Sequence, residues 1–168
     1  MANSVSDEQL IQWYQNGNAD AFETLYTRYK TAIYHYFYRQ VQSSAIADEL
    51  HQDVWLNIIR SSSGFNQRSS FKTWLYKIAH HRLIDHYRQV GKHTLNLVPN
   101  NTEESAPESE AMDNNPGPDE RLQKQQLDKA LLEGIEQLPK EQKEVFLLHE
   151  SNNLTVEEIA IVTDSSYE

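Results

Sequence analysis

Apolar residues in the first half of the chain recur every three or four positions, and polar capping residues divide them into four helices. Ser6, with Gln9 three residues on, forms a capping box, and Gly17 is placed to end that helix. Asn18 caps the second helix, in which Phe22, Leu25, Tyr26, Tyr29, Ile33, Tyr36 and Phe37 repeat at helical spacing. Ser44 caps a third helix reaching about Arg60, with Ile46, Leu50, Val54 and Ile58 inward and Trp55 beside them. Ser69 or Ser70 caps the fourth, with Phe71, Trp74, Leu75, Ile78 and Leu83 inward and Gly91 as the stop. Four amphipathic helices can bury one shared core.

The pattern breaks at residues 92–120. This stretch holds all but one of the prolines, much Asn and Ser, and seven carboxylates. It has too little apolar surface to offset the entropy of ordering, so it reads as a flexible acidic linker. Helices return at about Arg121. Leu127, Leu131 and Ile135 form a stripe that ends at Leu138-Pro139, and Pro139 opens a helix with Val145, Phe146, Leu147 and Leu148 as core residues. Asn152-Asn153 makes a turn. Thr155 with Glu158 is a second capping box, starting a short helix with Val156, Ile159 and Ala160 inward. Ser165 or Ser166 stands as a further N-cap with no helix behind it. The expected fold is all-α: a bundle at 1–91, a linker at 92–120 and a smaller helical unit at 121–168.

Composition narrows the class. The chain has 168 residues and no cysteine, which excludes disulfides and thiolate metal sites. No apolar run approaches the roughly 18 residues of a membrane span, and the polar N-terminus lacks a signal pattern. Membrane insertion is not expected, and a cytoplasmic location is the default. The net charge of −10 is unevenly spread. Residues 1–91 carry nine Lys and Arg against eight Asp and Glu, whereas residues 92–168 carry six against seventeen. Only the first half can approach a polyanion through a local face.

Candidate chemistry concentrates in residues 62–90. The polar loop Asn66-Gln67-Arg68-Ser69-Ser70 opens onto a helix that interleaves Phe71, Trp74, Tyr76 and Tyr87 with Lys72, Lys77, Arg82 and Arg88. Cations neutralise phosphates, and flat rings stack on unpaired bases. By itself the loop also fits an ordinary surface turn, and the cations an ordinary solvated face. Trp74 shares the face of Leu75 and Ile78 and reads as core; Tyr76 and Tyr87 lie off that stripe and are the better stacking candidates. On the third helix, Asp48, Glu49 and Asp53 make an acidic face, with Glu49 and Asp53 in like-charge i, i+4 spacing. Trp55 fits a core residue or a docking anchor equally. A metal-enzyme alternative rests on Asp48 with His51 and His81 with Asp85, but the other two helices offer no inward Glu ligands. No phosphate-binding loop, G-x-S-x-G or HExxH motif is present.

The run ADELHQDVWLNIIRS followed by GFNQRSSFKTWLYKIAHHRLIDHYRQ resembles region 2 of bacterial sigma factors of the extracytoplasmic-function (ECF) group, in the sigma-70 family. LDKALLEGIEQLPKEQKEVFLLHESNNLTVEEIAIVTDSS resembles the start of their region 4. The resemblance implies a sigma factor that binds core RNA polymerase and directs it to promoters. It implies that the helix at Ala47–Arg60 docks on the clamp coiled coil of the β′ subunit, with Asp48, Glu49, Gln52, Asp53 and Trp55 at the matching positions. The loop Asn66–Ser70 matches the family loop that captures a flipped base of the −10 non-template strand. The helix after it supports strand opening, with Lys72, Lys77, Arg82 and Arg88 as its cations. The acidic linker matches one that passes near the active-site cleft of the polymerase. An anti-sigma factor is a further implied partner. The helix that reads the −35 element would follow Asp164 and is missing, so the chain is expected to be truncated within region 4. The resemblance implies no catalytic residue, metal or cofactor. The alternative it leaves open is a decoy that engages polymerase or an anti-sigma factor without touching DNA.

Overall fold

The computed structural model describes residues 5–94 and 118–165. Among them are seven α-helices and no strand: α1 (Asp7–Gln15), α2 (Ala19–Val41), α3 (Ser44–Ser61), α4 (Phe71–Thr94), α5 (Pro118–Glu136), α6 (Lys140–Phe146) and α7 (Val156–Thr163). A 3₁₀ turn at Ser62–Gly64 follows α3, and a π-helical turn at Leu147–Ser151 continues α6.

The helix starts follow their caps. The Ser6–Gln9 and Thr155–Glu158 capping boxes are both formed, with the Ser6 and Thr155 hydroxyls accepting from the backbone N–H of Gln9 and Glu158 three residues on. Asn18 accepts from the amides of Asp20 and Ala21. The cap of α3 is Ser43, one residue before the expected Ser44. Gly17 follows α1 at φ 95°, a backbone that glycine adopts without a Cβ clash. Gly91 does not stop α4, which continues to Thr94. A glycine weakens a helix by about 1 kcal/mol but ends it only by turning left-handed, and Gly91 has φ in the ordinary range.

The core gathers Leu10 and Ile11 of α1, Leu25, Ile33 and Phe37 of α2, Leu50, Val54 and Ile58 of α3, and Phe71, Leu75, Ala79 and Leu83 of α4. Each fully buried side chain of this size stabilises the fold by roughly 1.5–3 kcal/mol before entropy is counted. An ion pair at 2.6 Å between Asp7 and Arg28 ties α1 to α2, and the Tyr29 hydroxyl donates to the same carboxylate. Burial first, and Asp7 second, push the Tyr29 phenol well above its usual range.

The C-terminal helices are not separate from this core. Leu148, Leu154, Ile159 and Val162 belong to the same buried cluster. They bring the π-helical turn and α7 onto α4. Four apolar positions of the sequence pattern are exposed. Leu127 and Leu131 are exposed, at 69% and 55%, and only Ile135 of that stripe is buried. Val145 and Val156 also face solvent. Helical spacing identifies an apolar stripe but not whether a neighbour covers it. The linker assignment at 92–120 lies mostly outside the described residues, as does Ser166.

Candidate functional site

The loop after α3 is held at both ends. On entry, Phe65 turns inward and is nearly buried, with its ring centroid 5.1 Å from Trp74 and 6.2 Å from Phe71. The side-chain amide of Gln15 on α1 donates to the carbonyls of Ser62, at 2.6 Å, and Phe65, at 3.2 Å. On exit, the Ser70 hydroxyl accepts from the Thr73 amide at 3.1 Å, making Ser70 rather than Ser69 the cap. The carboxylate of Glu8 accepts from the Phe71 amide at 3.0 Å, so α1 also caps α4.

Between these anchors the tip stands out. Asn66, Gln67 and Arg68 are exposed, and Ser69 and Ser70 are half-buried. Asn66 Oδ1 accepts from the Arg68 amide at 3.3 Å, which leaves its NH₂ group as a donor. Gln67 sits in the left-handed region at φ 59°. The tip therefore offers amide donors and acceptors and a guanidinium from a fixed frame. Half-buried Lys72 and the half-buried ring of Trp74 lie in the first turn of α4 behind it. Such a set can grip an unpaired base by its edge and a neighbouring phosphate by charge.

Further along α4 the picture differs from the sequence expectation. Tyr76, expected to be an exposed stacking ring, is 1% exposed. Its hydroxyl donates to Asn152 Oδ1 at 2.6 Å, and burial pushes its phenol far up. Lys77 pairs with Asp164 at 2.6 Å, and His81 contacts the other oxygen of that carboxylate at 2.9 Å. Hydrogen bonds from Lys77 and then His81 hold Asp164 below the usual carboxylate range. Tyr87 is half-buried; its hydroxyl donates to the Gln40 carbonyl at 3.2 Å, and Lys140 lies 4.0 Å over its ring. Burial, with Glu144 second, raises its pKa to about 12. Arg88 is exposed and lies 3.7 Å from Asp85. At about 3.6 residues per turn, Lys77 and Arg88 share one line of α4, while Lys72 and Arg82 lie well off it. One continuous cationic, ring-bearing surface along α4 is thus not what the structure builds. The grouped residues are those of the loop tip and the first turn.

A second surface lies on α3. Asp48, Glu49 and Gln52 are exposed, Asp53 is half-buried, and Trp55 is buried at 5%. Trp55 packs edge-on against Phe22 and Tyr26, and its indole N–H lies 3.1 Å from His51 Nε2. Burial holds the His51 pKa below its usual value. Trp55 is thus placed as core beneath this surface. Sequence reasoning missed Leu56 and Ile59, which are 47% and 43% exposed on the same side as Asp48 and Gln52. Their signal was present as apolar positions out of register with the buried Leu50–Val54–Ile58 line. Beside them, a shallow groove of about 410 Å³ is lined by Tyr26, Lys30, Thr31, Tyr34, Asp48, His51 and Gln52. The residue pairs of the metal alternative are otherwise engaged, His51 with Trp55 and His81 with Asp164. Among the described residues no cluster of three or more His, Cys, Asp or Glu is placed to hold an ion. No described helix is long and apolar enough to cross a membrane.

Comparison with known proteins places the chain in a class. Residues 25–93 match the family described as Sigma-70 region 2, and residues 128–167 match Sigma-70, region 4, the class of RNA polymerase sigma factors. The RNA polymerase sigma factor YlaC of Bacillus subtilis is 30% identical over 141 residues, covering 84% of this chain and 78% of that protein. The ECF RNA polymerase sigma-E factor of Escherichia coli K12 is 26% identical over 170 residues, covering 98% and 86%. A solved structure of CnrH in complex with the cytosolic domain of CnrY superposes with a TM-score of 0.64 at 19% identity, covering 95% of this chain and 84% of that one, and shows the same fold. The chain belongs to the sigma-70 family, in its extracytoplasmic-function group. Its role is that of a sigma factor in transcription initiation, and it is not an enzyme.

Proposed function

We propose that residues 1–91 dock on core RNA polymerase through α3 and read the −10 non-template strand through the loop Asn66–Ser70, with 92–120 as a connector and 121–168 as the start of region 4. The observation that carries this reading is the loop: an exposed tip with open amide and guanidinium groups, fixed by Gln15 and Phe65 on one side and by Ser70 and Glu8 on the other. Extruding a base costs a few kcal/mol, and a preset tip recovers part of that through edge hydrogen bonds without ordering itself first. Stacking on an accessible ring adds about 1–3 kcal/mol per base, and Trp74 is the ring nearest the tip in sequence with part of its surface open.

The α3 surface supports the docking half of the reading. It mixes carboxylates with two apolar side chains, which suits a basic helical partner such as the clamp coiled coil of β′. A cytoplasmic location follows from working with polymerase. An anti-sigma factor is a further proposed partner; the similarly folded CnrH is solved in complex with the cytosolic domain of another protein, CnrY. Reconstitution with core enzyme tests the whole, scoring promoter opening by the reactivity of unpaired thymines. Opening that depends on Asn66 and Gln67, with core binding independent of them, is the expected result. Polymerase binding without opening at any promoter would favour the decoy reading.

A further inference from the structure

We propose that the seam between α2 and α6 binds a small phosphate-bearing solute, its phosphoryl group gripped by Lys143 and Gln40 from within and by Arg39 and Lys140 from the rim. Gln40 and Lys143 are each only 8% exposed. Both polar atoms of the Gln40 side chain lack a hydrogen-bond partner among the described residues. Among the same residues no carboxylate lies within ion-pair distance of Lys143. Buried amides and ammonium groups are nearly always paired, because they have given up their water. The two side chains belong to one place. Tyr36, one turn before Gln40 on α2, donates its hydroxyl to Glu144 at 2.5 Å, and Glu144 follows Lys143 on α6. The Gln40 carbonyl accepts from Tyr87 at 3.2 Å, and Lys140, one turn before Lys143, stands 4.0 Å over that ring. Burial holds the Lys143 pKa below its usual value; Glu136 raises it, and the charge of Arg39 lowers it further.

The chain carries 25 acidic side chains against 15 Lys and Arg, yet Arg39, Lys140 and Lys143 gather here with no described carboxylate closing on them. The two acids nearby are otherwise placed. One oxygen of Glu144 takes Tyr36 and His80, and Glu136 is exposed and beyond ion-pair distance of Lys143. A phosphoryl group suits the set. It is a compact dianion with acceptors pointing in several directions, so the Lys143 ammonium and the Gln40 amide can donate to inner oxygens while the Arg39 guanidinium spans two outer ones. The seam is separate from the loop at the start of α4. Tyr87 stands sixteen residues beyond Phe71 on that helix, about 24 Å along its axis.

The test titrates the full chain, free of DNA and in chloride buffer at matched ionic strength, with inorganic phosphate, pyrophosphate and ATP in a calorimeter. The parent is expected to bind at a single site, and Lys143→Met and Arg39→Gln to bind about tenfold more weakly or worse. Melting curves supply a second sign. In chloride alone Lys143→Met should melt above the parent, because an apolar chain of similar length replaces a buried charge without a partner. Added phosphate should then raise the melting temperature of the parent and not that of the variant. Arg39 is exposed, so Arg39→Gln reports binding even where Lys143→Met fails to fold. Tighter binding of ATP than of phosphate makes a nucleotide the source of the phosphoryl group, and equal affinity makes it free phosphate. No heat and no melting shift with any of these anions overturns the site. Equal affinity in the parent and both variants overturns it as well, since the anion then sits elsewhere.

Discussion

Truncating Leu56 and Ile59 to alanine separates the apolar part of the α3 surface from its charge. The two side chains are 47% and 43% exposed, so about half of each remains to be buried by a partner. Burying a whole side chain of this size contributes about 1.5–3 kcal/mol, and the exposed half therefore about 1 kcal/mol. Each single variant is expected to weaken core-polymerase binding about fivefold and the pair about thirtyfold, if the two act independently. The halves already buried cost the fold about 1 kcal/mol each, which a melting curve measures separately. Trp13→Ala is the control, since Trp13 is equally exposed at 45% but sits on α1, not on α3. Binding is measured by fluorescence anisotropy of the labelled chain against core enzyme at a temperature where all variants are folded. An affinity within twofold of the parent for the double variant would refute the argument that α3 docks through this surface. Repeating the titration at raised salt isolates the remaining contribution, because screening weakens Asp48, Glu49 and Asp53 but not the apolar pair.

Four further outcomes are expected. Asn66→Ala with Gln67→Ala should weaken binding of a single-stranded −10 oligonucleotide while leaving core-polymerase binding unchanged; equal loss of both points to misfolding. Phe65→Ala removes a nearly buried ring packed on Trp74 and Phe71 and should cost about 3 kcal/mol in a urea melt, with oligonucleotide binding lost in the folded fraction as the tip loosens. Charge reversal at Asp48 and Asp53 should slow association with core enzyme most strongly at low salt, and an unchanged rate in stopped flow counts against charge-guided docking. Alkaline titration gives the last. Tyr36 and Tyr76 are raised by burial, and for Tyr36 Glu144 is the next cause. Above pH 10 the unfolded chain ionises first, so their contribution is whole below pH 10 and is lost as pH rises toward the folded values. Tyrosinate absorbance at 295 nm should lag in the folded protein and rise together with loss of helicity; ionisation of all nine tyrosines with a midpoint near pH 10 and the helices intact would contradict the burial.

Much of the fold was legible because helices announce their ends. The two capping boxes, Asn18 and the inward lines Leu50–Val54–Ile58 and Phe71–Leu75 depend on residues a few positions apart, which a sequence displays directly. Gly91 misled because glycine marks a stop only when its backbone turns left-handed. The second face of α4 was illegible for a different reason. Thr73, Tyr76 and His80 are polar enough to pass for solvent-facing residues, and their partners lie 64 to 85 positions away. A helix packed on two sides shows one apolar stripe and one polar face, and spacing finds only the first. The same limit hid Glu8 and Gln15, whose value to the loop is a contact across the core and not a local pattern.

The attachment of the loop to α1 has a consequence for how such proteins diversify. Gln15 and Glu8 reach main-chain atoms, the carbonyls of Ser62 and Phe65 and the amide of Phe71, so they are indifferent to which side chains the tip carries. Residues 66–69 can change their chemistry while the frame keeps its aim. On the proposed −10 reading, new sequence preferences would then arise by exchanging a few letters in a cassette, with the rest of the molecule left as it was.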